Sequence, residues 1–518
     1  MLHDSYTVMV ESADVKLYTV VMLPKKTETF PIILQRCPYV DNTESMSEEE
    51  VIELHYDANR AFVEAGYAVI FQHCRGTGKS TGEFVPIIYE RQDGLALQAW
   101  VRQQPFYQEE LYLFGASYTA LVHLVTAPYA SDIKGIMLIA MSQDQYDFFY
   151  RNGASRWGLY GEWYMDMYKK RNRLKKNYGP DSPRILPLSD YSQTVFGEKD
   201  EVLSEVFKHP NREDPFWDNV WAGASGRHAL DHVRIPVLLM VGTFDVFYPG
   251  MLQMWKDMDE ETRRMSALVI SPYDHTDGEL QPIQFEKGKI EEQFPDPMYR
   301  WIDYIRGIGD CPVEWGKVTY YNLFENQWKC DDYHSGKRFL KVGFGEQDVS
   351  YVYNPYDPTR YAGALTAGFG GTAFQLPAGS HYGMQTFYSE IFEEDQELKG
   401  EMYAELTVKS DCEDTCFYMR ISLVKEEGDY GLRDSIHNLS ENTPDYVPGT
   451  EVTVGFEFDH IALKIHKGER LRIDISSSAY PYFIPHTNLR GLFSEQTRAV
   501  PAHNTIIGGK SYLIVPIV

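Results

Sequence analysis

Leu111-Tyr112-Leu113-Phe114-Gly115-Ala116-Ser117-Tyr118-Thr119-Ala120-Leu121-Val122-His123-Leu124-Val125 is the stretch on which the reading of this chain turns. A short apolar run ends in two small residues and a serine, and a segment of helical periodicity follows at once. The expected order is strand, sharp turn, helix. Small residues beside Ser117 permit a strained turn that lifts its hydroxyl clear of a sheet's carboxyl edge. A helix N-terminus behind the serine would favour negative charge developing there. Gly-Ala-Ser also occurs at Gly153–Ser155 and Gly223–Ser225, but only Ser117 lies between an apolar strand and a helix.

Working outward, strand-like and helix-like segments alternate. Leu17–Leu23, Pro31–Tyr39 and Tyr67–Cys74 read as strands around the helical Glu48–Gly66, and Asp93–Gln104 is helical before the central stretch. Ile133–Ser142 is a further continuous apolar run, of the kind that is buried on both faces of a parallel sheet. From Gln143 to Trp221 aromatics and charges mix in helical register, with breaks at Gly179–Pro180 and Asp214–Pro215, which predicts an inserted helical cap. Strands resume at Ile235–Asp245 and Ser266–His275. After the helical Pro295–Asp310, short alternating runs from Lys317–Phe324 to Ser511–Ile517 predict a β-sandwich. The expected division is therefore an α/β-hydrolase domain over 1–142 and 222–309, a helical cap over 143–221, and a C-terminal jelly-roll-like β-sandwich over 310–518.

At 518 residues the chain exceeds one ordinary core, and 43% hydrophobic with 14% aromatic residues excludes disorder for most of it. The formal net charge of −26 repels phosphate backbones and anionic lipid surfaces, so neither nucleic acid nor membrane is an expected partner. Asp4 and Glu11 stand where a signal peptide would be basic and then apolar, which makes the cytoplasm the expected location. Six scattered cysteines do not form a disulfide scaffold. Cys412 and Cys416 lack a second Cys or His pair at ligand spacing, and no metal or organic cofactor is expected.

A serine hydroxyl is a poor nucleophile at neutral pH unless an imidazole takes its proton and a carboxylate holds that imidazole in the right tautomer. In the order Ser, Asp, His, the candidates are Asp245, just after an apolar run, and His275, just after the next. Asp274 and Asp277 flank the histidine, and Asp231 is a rival acid that precedes its strand. Arg75-Gly76-Thr77-Gly78-Lys79-Ser80 resembles the end of a phosphate-binding loop, but His73 stands where the leading glycine belongs. A turn in which Arg75 ties loops together is the better reading. Trp157, Tyr160, Tyr164 and Tyr168 recur at steps of three and four; such a stripe is either cap core or the wall of a substrate pocket.

With these pieces the chain resembles the CocE/NonD hydrolases, the group of cocaine esterase, glutaryl-cephalosporin acylase, α-amino acid ester hydrolases and X-prolyl dipeptidyl-peptidases. The resemblance runs through Arg36-Cys37-Pro38-Tyr39, Arg75–Gly82, Asp93-Gly94, the Gly-x-Ser-Tyr turn at 115–118, Asp245 and His275, then Lys399-Gly400, Gly468–Ile473, Ser477–Pro481 and His503–Thr505. It implies that Tyr39 and the Tyr118 backbone N–H receive an oxyanion, and that the substrate is a small-molecule ester or, less readily, an amide. Ala120 stands for the family's usual glycine, His73 for a common acid, and Ser-Pro-Tyr-Asp-His for Gly-Pro-Trp-x-His. Where the α-amino ester branch carries two carboxylates after its triad Asp, Phe247 and Tyr248 stand here, and with Trp157, Tyr160 and Tyr164 they are the candidate substrate contacts. The activity expected is that of a serine esterase or acylase, with an X-prolyl peptidase-like or cephalosporin acylase-like amidase as the alternative. A degenerate hydrolase scaffold that binds through its sandwich is the non-enzymatic alternative. A homo-oligomer stays open.

Overall fold

The computed structural model describes residues 3–25, 29–170, 184–219, 229–286 and 298–518. Twelve strands matter first. They are β1 (His3–Ser12), β2 (Val15–Pro24), β3 (Ile32–Cys37), β4 (Ala68–His73), β5 (Leu111–Ala116) and β6 (Ile133–Ile139), the two-residue cap strands β7 (Tyr150–Arg151) and β8 (Ala154–Ser155), then β9 (Val237–Gly242), β10 (Ala267–Ser271), β11 (Val318–Asn322) and β12 (Gln327–Asp331). All but β7 and β8 form one sheet in the order β1-β2-β4-β3-β5-β6-β9-β10-β11-β12. The run from β4 to β11 is parallel, with antiparallel strands at both edges. Its central strands are buried on both faces: β9 is enclosed along its whole length, which is why Val237–Gly242 is apolar without alternation.

Helices α1 (Glu48–Glu64), α2 (Glu90–Val101) and α3 (Tyr118–Leu124) cross over between these strands. Ser47 and Glu50 close a capping box at the start of α1. Val51, His55, Tyr56, Asn59, Phe62 and Val63 then turn inward at helical spacing. The cap follows β6: α4 (Tyr146–Phe149), the β7–β8 hairpin, α5 (Trp157–Lys170), α6 (Tyr191–Val195), α7 (Glu201–Val206) and α8 (Pro215–Asn219). After β9 come α9 (Tyr248–Asp257) and α10 (Glu260–Arg264).

The remaining strands are β13 (Arg338–Gly343), β14 (Val349–Tyr353), β15 (Met384–Tyr388), β16 (Gln396–Ser410), β17 (Cys416–Lys425), β18 (Gly428–Asn438), β19 (Val452–Ile465), β20 (Arg470–Ser476), β21 (Ala502–Ile506) and β22 (Tyr512–Ile517). They make two antiparallel sheets, β13-β22-β16-β21-β14 with β19 also on β16, and β15-β20-β17-β18. Leu406, Phe456 and Leu513 from the first share one core with Phe417, Ile421 and Ile473 from the second. One element differs from expectation. Lys317–Phe324 reads as a sandwich strand, yet β11 pairs parallel with β10 and β12 closes the edge of the first sheet, so the sandwich begins at β13 rather than near residue 310. Alternation within five residues cannot tell which sheet a strand joins; pairing across the chain decides it.

The two domains share a seam. Phe244, just past β9, packs in the sandwich core, and the fully buried Arg433 of β18 donates to Thr243 Oγ1 (2.9 Å) and His460 O (2.8 Å). No helix among the described residues is long and apolar enough to cross a membrane.

Beneath β4, His55 Nε2 and His73 Nε2 meet at 3.1 Å, and His73 Nδ1 accepts the Lys79 N–H at 3.3 Å. Burial holds His55 down to about 4 and, with the His55 and Lys79 charges adding, His73 to about 3. The folded chain keeps both rings neutral while the unfolded chain protonates them near the ordinary ~6.5. Their contribution to stability is therefore whole above that pH and is lost as pH falls from about 6.5 toward 3. We expect the melting temperature to drop across this window, and His73→Gln, whose amide can take both hydrogen bonds, to flatten the slope. Circular dichroism melts at a series of pH values check this, and equal slopes would contradict it.

Candidate active site

Ser117 sits directly beyond β5 with φ 55° and ψ −128°, a conformation that a non-glycine residue adopts only under constraint. Its N–H donates to Ile139 O at 2.8 Å, which ties the turn to the end of β6. The turn is so tight that a Cβ on Gly115 would lie 2.1 Å from Thr119 O. Ala120, by contrast, is accommodated, fully buried, with its N–H on Ser117 O at 2.9 Å. Tyr118 opens α3, so its N–H is one of the helix's unpaired first-turn donors. Behind it, Tyr118 Oη donates to Glu90 Oε1 (2.8 Å) and accepts the Ile87 N–H (2.7 Å). Glu90 in turn pairs with the buried Arg36 at 2.7 Å, whose Nε reaches Gln72 Oε1 at 2.9 Å. An ion pair this deep is weak evidence for stability, but losing one partner would leave an uncompensated charge behind the turn.

Asp245 and His275 come from the carboxyl ends of β9 and β10. His275 Nδ1 lies 2.9 Å from Asp245 Oδ2 and its Nε2 3.0 Å from Ser117 Oγ. Asp245 is 1% exposed and also accepts the Phe247 N–H at 2.7 Å, so its carboxylate is held on both oxygens. That pairing puts the neutral ring's proton on Nδ1 and leaves Nε2 to accept from the serine. Burial alone would push the His275 pKa down, but the Asp245 charge and hydrogen bond, reinforced by Asp274 and Asp277, raise it above the usual histidine value. The flanking Asp274 does a different job. Its Oδ1 accepts from Thr276 N, Thr276 Oγ1 and Gly278 N and its Oδ2 from Gly370 N, fixing the loop that carries His275 against a loop of the C-terminal region. The rival Asp231 lies in the short turn Ala229–His232 before β9, at the wrong end of the strand.

Tyr39, just beyond β3, is 37% exposed and lines the cavity into which Ser117 opens. The crowding around its hydroxyl raises its pKa, against the opposing effect of a hydrogen bond from Trp163 Nε1 (2.9 Å), and its hydroxyl also interacts with the Ser117 side chain. It is a neutral phenol at any physiological pH. The cavity opens to solvent and is narrow, with a volume of about 40 Å³. Leu121, Met141, Phe148, Leu159, Trp163, Phe247 and Phe369 make it apolar, and Ser142 and Asp144 add a polar side.

Of the candidate contacts, only Phe247 lines this cavity, its ring 5.3 Å edge-on from His275. Trp157, Tyr160 and Tyr164 are cap core: Trp157 packs on Tyr191 at 4.7 Å, and Tyr160 and Tyr164 both meet Phe149. Tyr168's side chain lies outside the described residues. Tyr248 is buried and donates to His460 O at 2.6 Å, at the seam with the sandwich. The reason is which face of α5 turns to the sheet: Leu159 and Trp163, four residues apart, face the cavity, while the aromatic stripe faces the rest of the cap. Phe369, 5.4 Å from His275, arrives from an irregular segment nearly a hundred residues away in sequence, with no local signal beyond its flanking glycines. No local sequence pattern marks Arg156 either. Three per cent exposed, it donates to Asp147 O, Val246 O (3.0 Å) and Thr366 O (2.6 Å), joining cap, Asp245 loop and C-terminal region.

The phosphate-loop-like segment is occupied with structure. Arg75 pairs with Asp93 at 2.7 Å and stacks on Tyr89, Lys79 Nζ donates to Met46 O at 2.7 Å, and a Cβ on Gly76 would meet Phe84 N at 2.3 Å. Cys412 Sγ contacts Asp411 and Pro501 O, while Cys416 is buried. Among the described residues no cluster of three His, Cys, Asp or Glu side chains could hold a metal ion.

This fold and this serine environment define a serine hydrolase of the α/β-hydrolase class. A sequence model of the X-Pro dipeptidyl-peptidase (S15) family matches residues 13–277, and one of the X-Pro dipeptidyl-peptidase C-terminal non-catalytic domain matches 351–513. The chain belongs to the S15 family. It is 23% identical to the cocaine esterase of Rhodococcus sp. (strain MB1 Bresler), over 88% of this chain and 89% of that one. An α-amino acid ester hydrolase structure superposes on all of this chain and 97% of its own with a TM-score of 0.81 at 16% identity. An aminopeptidase from a marine sediment archaeon (Thaumarchaeota archaeon) covers all of this chain and 96% of its own at 0.78 and 17%, and a CocE/NonD family hydrolase from Staphylococcus aureus covers all of it and 94% of its own at 0.69 and 15%.

The tight crossing at Gly115 sets a test. Gly115→Ala forces the helix away from the strand, at a cost of about 1–3 kcal/mol for an overpacked contact. We expect a measurable loss of stability in urea denaturation and a disproportionate loss of reactivity at Ser117 toward a fluorophosphonate probe; unchanged labelling kinetics would contradict the constraint.

Proposed function

We propose that Ser117 is the nucleophile, His275 the general base and then acid, and Asp245 the group that orients His275, in the hydrolysis of carboxylic esters of small acyl groups. The observation that carries this is the continuous pair of hydrogen bonds from Asp245 Oδ2 through the imidazole to Ser117 Oγ. Ser117 Oγ adds to the ester carbonyl while its proton passes to His275 Nε2. The carbonyl oxygen, now an anion, is received by the Tyr39 hydroxyl and the Tyr118 N–H. Collapse expels the alcohol, which takes the proton from His275 and leaves an acyl group on Ser117; water, deprotonated by the same imidazole, releases the acid. The narrow apolar cavity suits a compact or flat acyl group. The boundary residues that join cap and sandwich to the loops of His275 and Asp245, Arg156 and Arg433 among them, support a reading in which both outer units hold the site. The scatter of six cysteines through a long chain, unlike a disulfide scaffold, supports a reducing compartment such as the cytoplasm.

An amidase reading is favoured by the X-Pro dipeptidyl-peptidase family match, and a panel of short-chain and aromatic p-nitrophenyl esters beside Xaa-Pro anilides separates the two. Ser117→Ala should lower kcat/KM by about 10⁴-fold or more on whichever substrate is turned over. A fluorophosphonate should add to Ser117; labelling of another residue, or retained activity in the variant, would overturn the assignment. Tyr39→Phe should cost about 100- to 1,000-fold in kcat, the usual effect of removing one oxyanion donor. Because His275 must be neutral to accept the proton and its pKa is raised, kcat/KM should be full at alkaline pH and fall with one proton as pH drops through a value above 6.5.

A further inference from the structure

We propose that Trp163, on the cap helix α5, is a positioning residue for the oxyanion site: its indole N–H, seated on Tyr39 Oη, occupies that oxygen and aims the phenolic proton at the oxyanion. The inference rests on the reading of Tyr39 as oxyanion donor. The Nε1–Oη distance is 2.9 Å. An indole nitrogen donates and cannot accept, so this contact has one polarity only: Tyr39 Oη must be the acceptor, and its own hydrogen is excluded from that direction. A phenolic hydrogen prefers the ring plane and has two orientations there. A donor fixed on one side leaves the other; Tyr39 lines the cavity, and its hydroxyl also interacts with the Ser117 side chain.

Trp163 is held well enough to do this. Its ring stacks on Tyr118 at 5.7 Å and 16°, Phe148 meets it edge-on at 5.6 Å and 86°, and Phe84 lies 6.4 Å away. The same indole therefore touches Tyr39 by hydrogen bond and Tyr118 by stacking, the two residues that carry the oxyanion donors. Donation into Oη also polarises the O–H bond, since chained hydrogen bonds strengthen one another. Crowding around the hydroxyl raises the Tyr39 pKa and the Trp163 hydrogen bond opposes that rise, as a contact that makes the hydroxyl a better donor should. The oxyanion site would then be completed by the cap.

The test replaces Trp163 with β-(3-benzothienyl)alanine, which keeps ring size and stacking while sulfur replaces the N–H, alongside Trp163→Phe. Losing one neutral hydrogen bond should lower kcat about 5- to 10-fold with KM within about 2-fold. A trifluoromethyl ketone that mimics the tetrahedral intermediate should bind weaker by the same factor. In a Tyr39→Phe background the benzothienyl replacement should change kcat by less than about 2-fold, because the oxygen it acts through is gone. An equal fall in both backgrounds, or a change confined to KM, would show that Trp163 only shapes the pocket and would overturn the proposal. If Tyr39→Phe is itself as active as the parent, the oxyanion reading of Tyr39 fails and takes this inference with it; if Tyr39→Phe is slow but the benzothienyl enzyme is not, this inference alone fails.

Discussion

The hydrogen bond that His275 Nδ1–H donates to Asp245 spans the ends of two neighbouring strands, and the rest of the structure can be understood as what keeps those ends still. A parallel sheet delivers the loops after β5, β9 and β10 to one edge, but it does not fix their conformation beyond the last ladder bond. An error of 1 Å in either loop would break a relay whose two distances are 2.9 and 3.0 Å. Each loop is accordingly anchored by something outside the sheet.

Those anchors come from three directions. The Ser117 turn is braced from behind by the Tyr118–Glu90–Arg36 chain. The Asp245 loop is held at Thr243 by Arg433, at Phe244 by the sandwich core and at Val246 by Arg156 of the cap. The His275 loop is wound around Asp274, which reaches across to Gly370. Buried guanidinium groups recur in this role because a planar donor fork satisfies several carbonyl oxygens at once and stays charged at any physiological pH. The C-terminal sandwich, far from being an appendage, shares its core and its hydrogen bonds with the loop that carries Asp245.

How much of this was legible in the chain depends on the range of the interaction. Ser117 is legible because its strained turn is local: Gly115, Ala116 and the onset of α3 lie within five residues of it. Asp245 and His275 are legible as candidates by their place after apolar runs, which the parallel sheet converts into a shared edge. The aromatic stripe on α5 leaves cap core and pocket wall both open and misled only as a source of substrate contacts, since periodicity shows that a helix has faces but not which neighbour each face meets; Trp163 lies one step off the stripe, and Trp157, Tyr160 and Tyr164 belong to the cap core. The strand at Val318–Asn322 misled in the same way, its partner being chosen at a distance.

The amino-acid order by itself determined the local geometry, namely the alternation of strand and helix, the strained turn at Ser117, and the family motifs around Tyr39 and the glycine turn at 75–82. Only the tertiary structure decided what surrounds them: that Phe369 closes the cavity, that Trp163 rather than its neighbours reaches Tyr39, and that Arg156 and Arg433 clamp one loop from two domains. The physical reason is separation along the chain. Backbone sterics and helix or strand periodicity act over a few residues and leave a written pattern, whereas packing between segments some hundred to two hundred residues apart depends on shapes and directions that exist only once the chain has closed on itself.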